Sequence, residues 1–561
     1  MNNPRGLFRE FNEAKLEQVR THPYFEKLRI NTIEKAEEYL VTDPPIIKFS
    51  KIHLFVTTGN REIFQKDFFA YEKRMQTLFL AYILTEDEKY IEPLADIIWN
   101  ICDFETWSIP AHVGEELSIE RRRAQLDLCS TIMGFRMAEI LYYIGDKLPE
   151  LVYRRAKAEI RYRVIDSYKR YDCEAFQWKT RTNNWSAVCI AAVLCAYLYI
   201  GEEEEIEEML PEMRATAECY LRGFEDDGCC AEGYGYWNYG FSFFCLFATM
   251  LRDYTDGRIN YFESEKVHKI ALFQQYIWIN QEECLSFSDC SLRYAPVGWL
   301  THLLKGIYPD MTIPAIPPSE YAGCPLRYVF WQDPDLANST LEPVSHIFHD
   351  AQWFVCHKNE YSVGVKAGHN MESHNHNDVG SFLFSKNGKV TFVDPCGGEY
   401  TRQYFSREER YKHFLTSSKG HSVPIINGHL QMRTSTKATL INEQPDRFTF
   451  TMDQVYDEPT LISLTRDFDC RDESLVLTDT YEFSEVSTSV TERFISLLPI
   501  ELGEGKLICG DSIMEFSADT FEAELCSEEV ARPQSKKETV YYANLTVKSP
   551  AKKMQFAFVL K

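Results

Sequence analysis

Residues 366–384 read KAGHNMESHNHNDVGSFLF, with His374, His376 and Asp378 at every second position. Nine of the 14 histidines lie between residues 346 and 429, so imidazole chemistry is concentrated in this part of the chain. In an extended segment these three side chains would share one face, with neighbours ~7 Å apart. That distance is too long for a direct hydrogen bond. It suits two adjacent roles, in which one imidazole binds a metal and the other faces a substrate.

Two later residues can complete a metal site with His376. Asp394, in TFVDPCGG, and His421, in SSKGHSVPIING, follow it in the sequence. A single histidine of this kind is commonly structural, so the prediction rests on the set of three. Two imidazoles and one carboxylate suit zinc with water in the fourth position, and they suit manganese or calcium less well. The sequence therefore predicts one zinc ion.

The segments that follow about residue 343 have the sequence pattern of antiparallel β-strands. They are short, they alternate apolar and polar residues, and turn residues separate them. Within GSFLFSKNGKVTFVDPCGG, the letters KNGK are a hairpin signal. We predict an antiparallel β-sandwich over residues 341–561.

The preceding residues, 1–340, have apolar side chains at three- and four-residue spacing, as in KRMQTLFLAYILTEDEKYIEPLADIIWNICDF. The longest apolar run, Ala187–Ile200, has 14 residues, which suits a buried helix better than a membrane span. Repeated helical hairpins must bury their apolar faces on their neighbours. They predict either a solenoid or a closed α/α toroid.

Composition limits the partners and the compartment. Lys and Arg total 60 and Asp and Glu total 84, so the net charge of −24 gives no long-range attraction to nucleic acid or to an anionic membrane. The 17 cysteines contain no C-x-x-C pair, which predicts free thiols in a reducing compartment. The first residues, MNNPRGLFREFNEAKLEQVR, contain no apolar signal segment, so the expected location is the cytoplasm.

The helical half contains two stretches that fit catalysis. In TRTNNWSAVCIAAV, Asn183 and Asn184 precede a buried helix. A helix N-cap needs only one of these amides and leaves the other free to point into a cavity. In EGYGYWNYG, Tyr236 and Tyr239 are three residues apart and would be neighbours on one helix face. Aromatic core packing is their ordinary role, whereas a phenol that faces a cleft can transfer a proton.

Five motifs, which occur in a fixed order, carry a family resemblance: NNW, DG followed by EGYGYWNYG, SHNHNDVGSF, VDPCGGEY and GHSVPIINGH. The chain resembles the heparinase II/III-like polysaccharide lyases and their alginate-lyase relatives. The resemblance implies a multidomain α+β fold, with an α/α toroid (an incomplete barrel) over residues 1–340 and an antiparallel β-sandwich over 341–561. It also implies β-elimination at 4-linked uronic acids, with heparin or heparan sulfate as the first choice of glycan.

Such an elimination needs three groups: donors that neutralise the uronate carboxylate, a base for the C5 proton and an acid for the leaving oxygen. The resemblance implies that Asn184 binds the carboxylate, with Asn183 in support. It implies Tyr239 as the acid and as a candidate base, with Tyr236 as the alternative.

In the β half, the resemblance implies His374 as the catalytic histidine and Tyr411 as a further catalytic tyrosine. The metal set that it implies is His376, Asp394 and His421.

Further residues are candidates for binding an acidic oligosaccharide or polysaccharide, by charge or by stacking on a sugar. They are Trp107, His112, Arg181, Trp185 and Arg402. Trp185 stands where some relatives carry a histidine, so neutralising the carboxylate would fall to the amides. The family also makes a homodimer an expected assembly.

Two other function classes stay open at this point. Gly368 followed by His-x-His resembles the start of a cupin metal motif, although the glutamate expected shortly after His376 is absent and Gly380 and Ser381 stand there. A non-catalytic protein that binds acidic carbohydrate is the second alternative. Only a lyase would leave a 4,5-unsaturated uronate as product.

Overall fold

The structure, a computed structural model, describes residues 3–294, 296–406, 408–533 and 536–561. The chain forms two compact units. The first unit comprises Met1–Gly223, Asn238–Val267 and Pro296–Thr340, and the second comprises Phe224–Trp237, His268–Ala295 and Leu341–Lys561.

The domain boundary predicted after residue 340 omits two segments. Phe224–Trp237 and His268–Ala295 precede that boundary but belong to the second unit. The first segment contacts the turn at residues 349–352, because the Asp227 carboxylate accepts hydrogen bonds from the backbone of Asp350 and Ala351 at 2.8 and 3.0 Å. Both segments supply residues to the site described below.

Helices account for most of the first unit. In chain order the α-helices of the described residues are α1 (Glu13–Thr21), α2 (Glu26–Leu40), α3 (Phe49–Thr58), α4 (Glu62–Thr85), α5 (Ile91–Cys102), α6 (Ile119–Arg123), α7 (Leu128–Ile144), α8 (Glu150–Ile160), α9 (Asp166–Arg170), α10 (Asn184–Ile200), α11 (Glu203–Leu221), α12 (Tyr234–Tyr236), α13 (Ser242–Tyr254), α14 (Glu265–Tyr276), α15 (Gly298–Ile307) and α16 (Leu326–Phe330).

Helix α10 is the central helix of the first unit and packs against α7, α11 and α13. It contains the long apolar run of the sequence, and all of its residues except Trp185 are buried. A helix that is apolar on every side is stable only when neighbours surround it. The prediction of a buried helix from Ala187–Ile200 is therefore confirmed.

The second unit is built mainly of antiparallel strands. They are β1 (His346–Phe348), β2 (Trp353–His357), β3 (Tyr361–Lys366), β4 (Phe382–Lys386), β5 (Lys389–Phe392), β6 (Ile425–Ile426), β7 (Thr439–Gln444), β8 (Arg447–Thr451), β9 (Leu461–Cys470), β10 (Leu475–Phe483), β11 (Val490–Ser496), β12 (Ile500–Gly503), β13 (Lys506–Cys509), β14 (Ser512–Glu515), β15 (Phe521–Arg532), β16 (Lys536–Val547) and β17 (Lys553–Leu560).

These strands form three sheets. Their orders are β1-β2-β3-β4-β5, then β12-β13-β14-β17-β10-β9-β8-β7, and β15-β16-β11-β6. One apolar core, to which all three sheets contribute, includes Phe382, Phe468 and Phe494. The hairpin predicted from KNGK is confirmed, because Asn387 and Gly388, both at positive φ, join β4 to β5.

No helix among the described residues combines the length and the apolar composition that a membrane span requires.

Candidate active site

The histidine-rich stretch is a loop, residues 367–381, between β3 and β4, and we call it the histidine loop. An extended segment would place the side chains of His374, His376 and Asp378 on one face. Instead, the chain turns at His374, whose φ is +56°. Because non-glycine residues seldom adopt this conformation, the surrounding contacts must hold it. His374 is partly exposed, while His376 and Asp378 are fully buried.

Side-chain amides hold the buried part of this loop, whose backbone groups need partners away from water. Gln431 accepts from the Val379 amide at 3.0 Å and donates to the Val379 carbonyl at 2.7 Å. Asn377 donates to the Gln431 carbonyl at 3.0 Å, and Asn375 accepts from the Tyr411 hydroxyl at 2.7 Å. Asn375 and Asn377, which flank His376, therefore anchor the loop on either side of that imidazole.

Asp289, a residue that the sequence analysis missed, connects the two histidines. Its Oδ2 lies 2.8 Å from Nδ1 of His374, and its Oδ1 lies 3.0 Å from Nε2 of His376. Arg410 donates to Oδ2 at 3.1 Å, and the Tyr404 hydroxyl donates to Oδ1. One fully buried carboxylate thus accepts from four side chains.

The charge of Asp289 is stabilised locally. Burial disfavours its ionisation, but the hydrogen bonds from His374 and His376 and the charge of Arg410 outweigh burial and hold its pKa well below the usual value. Asp289 stands 85 residues before His374 in the stretch SFSDCSLRY, which carries no local signal of this role. Only the tertiary contact reveals it.

Two further side chains lie against His374. The Tyr236 ring stacks on the imidazole with centroids 4.0 Å apart, and its hydroxyl lies 2.8 Å from that of Tyr400. Burial raises the pKa of Tyr236 above its usual value, so its phenol is held protonated. Glu232 Oε2 lies 3.9 Å from Nε2 of His374, and burial raises the pKa of Glu232 too. Glu232 and Tyr400 were not among the predicted site residues.

Behind His374 lies a buried group of potential metal ligands. His376, Asp378, Asp394 and His421 each place one ligand atom within 4.8 Å of the others. The structure thus brings together the three predicted ligands and adds Asp378. In the sequence analysis the fourth position was assigned to water, whereas here a carboxylate stands in the group.

The protein leaves several atoms of this group without hydrogen bonds. Nδ1 of His376, Oδ2 of Asp378 and Oδ1 of Asp394 are buried and unpartnered among the described residues. Buried acceptors without partners cost free energy, roughly 1–3 kcal/mol each. A cation at their centre would satisfy all three.

His421 has a partner at each ring nitrogen. Nε2 lies 2.9 Å from the Leu415 carbonyl, so this nitrogen carries a proton. Nδ1 lies 2.8 Å from Asp394, whose charge raises the pKa of His421 despite its burial, so a cation bound at this group would have to displace a proton from Nδ1. The donor set of two nitrogens and two oxygens fits zinc.

Lys366 is a second buried charge beside the potential ligands. Its Nζ lies 2.8 Å from Asp378 Oδ1 and 3.2 Å from Glu372 Oε2. Burial disfavours its charge, but the two carboxyl groups outweigh burial and raise its pKa. Lys366 leaves the other oxygen of Asp378 directed at the group.

The first unit contains the predicted residues of the helical half other than Tyr236. Asn183 is the N-cap of α10 and accepts from the Trp185 amide at 3.2 Å, which is the ordinary capping role. Asn184 is buried in the first turn of α10. The partly buried Trp185 ring packs edge-on against the His112 ring, with ring centroids 4.7 Å apart. Nδ1 of His112 lies 2.8 Å from Oδ2 of the buried Asp127.

Tyr236 and Tyr239 are not neighbours on one helix face. Helix α12 ends at Tyr236, and Trp237–Phe241 form a π-helix, whose wider turn changes the spacing. Tyr236 belongs to the second unit and Tyr239 to the first. Burial raises the pKa of Tyr239 well above its usual value, and the nearby Cys129 raises it further.

The other predicted binding residues have different surroundings. Trp107 is 1% exposed and donates to the Ile101 carbonyl at 2.9 Å, so it is a core residue without a ring face for a sugar. Arg181 is exposed and donates to Gln177 at 2.8 Å, and Arg402 is exposed. Tyr411 takes part in the site through its bond to the histidine loop.

Comparisons with known proteins agree with this architecture. Residues 341–482 match the family described as Heparinase II/III-like, C-terminal. A crystal structure of heparinase III is similar, with a TM-score of 0.66 at 13% identity over 98% of this chain and 88% of that one. The structure of a heparan sulfate lyase HepC mutant from Pedobacter heparinus has a TM-score of 0.59 at 13% identity, over 94% of this chain and 82% of that one. The structure of the Streptomyces coelicolor A3 chondroitin AC lyase has a TM-score of 0.55 at 11% identity, over 98% of this chain and 81% of that one.

No curated protein sequence matches the chain. The fold class is confirmed as an α/α toroid followed by antiparallel β-sheets. Residues 341–482 thus match a heparinase II/III-like domain, and the chain shares the fold of solved polysaccharide lyases.

Proposed function

We propose that this protein is a polysaccharide lyase that cleaves 4-linked uronate glycans by β-elimination, with glycosaminoglycans of the heparin and heparan sulfate type as the first substrates to test. The observation that carries the proposal is the stacked pair of His374 and Tyr236, in which an imidazole oriented by Asp289 lies against a protonated phenol. Solved proteins of the same fold, named heparinase III and chondroitin AC lyase, support the substrate class.

The chemistry divides between these two residues. Nε2 of His374, the nitrogen turned away from Asp289, takes the C5 proton of the uronate. The electrons of that C–H bond form the C4–C5 double bond as the C4–O4 bond breaks. The hydroxyl of Tyr236 protonates the departing oxygen, and Tyr400, 2.8 Å away, is placed to return a proton to Tyr236.

The proposal includes one zinc ion held by His376, Asp394 and His421, with Asp378 as fourth ligand. The unpartnered buried ligand atoms support this assignment. When bound, the ion would supply a rigid link between the histidine loop and its neighbours. Four protein ligands fit a structural ion, because a catalytic zinc keeps an open position.

Of the two rival function classes, the structure gives the cupin type little support. A cupin-type site would use both imidazoles of His374 and His376 as ligands. The group of potential ligands among the described residues contains His376 without His374, which contacts Asp289 and Tyr236 instead.

The test is ultraviolet absorbance during incubation with heparan sulfate, hyaluronan, chondroitin and alginate oligosaccharides, because elimination creates a conjugated unsaturated uronate. We expect product from at least one glycan. His374→Ala should lower kcat by roughly 10²- to 10⁴-fold and Tyr236→Phe by a similar factor. Tight binding without unsaturated product would leave only a carbohydrate-binding protein.

The roles implied for Asn184 and Tyr239 stay predictions, as does the homodimer. Asn184→Ala tests carboxylate binding through a higher KM, and Tyr239→Phe tests which tyrosine is the acid. If Tyr239→Phe abolishes turnover while Tyr236→Phe does not, the proton donor proposed here is wrong.

A further inference from the structure

Asp289 faces one nitrogen of each of the two histidines of the histidine loop. It contacts Nδ1 of His374 through Oδ2 and Nε2 of His376 through Oδ1, at 2.8 and 3.0 Å. The carboxylate pairs with the Arg410 guanidinium at 3.1 Å and also accepts from the Tyr404 hydroxyl. An ionised carboxylate only accepts hydrogen bonds, so each nitrogen that faces it must carry a proton.

In their neutral forms, the two imidazoles are held by this arrangement in opposite tautomers. His374 carries its proton on Nδ1 and presents a bare Nε2 on the side of Glu232. His376 carries its proton on Nε2 and presents a bare Nδ1, the atom that is buried and unpartnered in the group of potential metal ligands. A nitrogen that is to accept a proton and one that is to bind a metal both need a free lone pair.

We propose that Asp289 is a positioning residue that sets both tautomers at once, so that the proton-accepting face of His374 and the metal-binding face of His376 depend on the same carboxylate. The fit around Asp289 is tight. A Cβ added to Gly397 would lie 3.0 Å from Oδ1 of Asp289, so the backbone closes on the carboxylate from that side. The kinetic part of this inference rests on the proposed lyase function, and the part about metal binding does not.

The discriminating variant is Asp289→Asn, which keeps the size but offers one acceptor and one donor. One imidazole would then face an amide N–H and would have to move its own proton to the opposite nitrogen. If His376 does so, a proton points into the metal site and zinc affinity should fall tenfold or more. If His374 does so, kcat should fall 100-fold or more while KM stays within threefold.

The matched control is Asp253→Asn, which alters a buried aspartate of the first unit that accepts from the Arg9 amide at 2.9 Å. It should change the melting temperature without changing zinc affinity or kcat. Zinc affinity is measured by competition with a chromophoric chelator, and kcat by the ultraviolet assay. Wild-type zinc affinity together with wild-type kcat in a folded Asp289→Asn protein would overturn the proposal. The proposal would also be overturned if zinc affinity and kcat fell only in proportion to a lower melting temperature.

A measurement on the unaltered protein does not depend on how the variant folds. Ring ¹⁵N shifts of deuterated, ¹⁵N-histidine-labelled protein report the tautomer, and the signals are assigned from the spectra of His374→Ala and His376→Ala. We expect the proton on Nδ1 in His374 and on Nε2 in His376. The same tautomer in both would contradict the inference, even if every glycan tested failed as a substrate.

Discussion

Two buried polar clusters of the second unit differ in whether their atoms have partners. In the first, Arg466 donates to both carboxylate oxygens of Asp479 at 2.8 and 2.6 Å, and to the carbonyls of Gly380 and Ser422 at 2.8 Å. Glu492 accepts from Arg466 at 3.4 Å and from a tyrosine hydroxyl. We call this the arginine cluster, and each polar side-chain atom of Arg466, Asp479 and Glu492 has a hydrogen-bond partner.

The second cluster consists of the four potential metal ligands and leaves buried acceptors open. The contrast teaches that burial alone does not define a metal site, because both clusters are fully buried and acidic. Unpartnered lone pairs at a common point distinguish the second. The two are also linked, since Gly380 lies two residues after Asp378 and Ser422 directly follows His421. The arginine cluster thus anchors the backbone beside two of the ligands.

The largest effect that the comparison predicts is on the arginine cluster. Asp479→Ala removes the main partner of a buried guanidinium and should cost about 3–5 kcal/mol in the free energy of unfolding. Urea unfolding of the second unit measures this loss. A chelator should not change the size of this loss in stability. A loss below 1 kcal/mol would show that the partners within the arginine cluster contribute little to stability.

Removing the metal tests the cluster of four potential metal ligands. If zinc is present at about 1,000 times its dissociation constant, chelation should lower the stability of the second unit by about 4 kcal/mol. Calorimetry with and without chelator measures the change in melting temperature.

The matched variant is Asp394→Asn, which removes one ligand. Its melting temperature should be low already and should not respond to the chelator. If the wild-type protein melts at the same temperature with and without chelator, and contains no metal, the zinc assignment is wrong.

A buried carboxyl of the first unit extends the comparison to pH. Glu139, on α7, accepts from the Tyr199 hydroxyl at 3.2 Å through one oxygen, while the other oxygen has no hydrogen-bond partner in the described part of the chain. Burial raises its pKa to about 7, against the opposing charge of Arg327. Because the folded value lies above the unfolded one, ionisation favours the unfolded chain. The stability linked to the protonated form is complete below pH 4.5 and declines as the pH rises to about 7.

Glu139→Gln should remove this pH dependence. At pH 8 the variant should be more stable than the wild type by at most about 3 kcal/mol, and near pH 4.5 the difference should be small. Urea unfolding at the two pH values measures it. A gain of equal size at both would show that packing, not ionisation, is responsible.

The smallest predicted effect concerns a single capping contact. Asn183→Ala removes the side-chain acceptor at the N-terminus of α10 and should cost about 1 kcal/mol of stability. KM for the best glycan should stay within twofold, because the amide is already used by the Trp185 backbone. An increase in KM of tenfold or more at unchanged stability would restore the substrate-binding role that the resemblance implied.

Several features of the site could be predicted from the sequence, because they depend on local pattern. The spacing of His376, Asp394 and His421 indicated a common site, and the structure does bring these side chains together. Asn183 was correctly expected to be able to cap a helix. The extended form of the histidine loop was a wrong expectation, because amide contacts from Gln431 and a left-handed residue, rather than sheet pairing, fix its backbone.

By itself, the sequence determined the division into a helical and a stranded part, the buried run Ala187–Ile200 of α10 and the hairpin at Asn387. Each follows from hydrophobic period or from turn chemistry between near neighbours. Only the tertiary structure decided that Asp289 bridges the two histidines and that Tyr236, not Tyr239, stacks on His374. Such contacts join segments far apart in the chain. A lone aspartate shows no period, and only the folded backbone brings it within hydrogen-bonding distance of its partners.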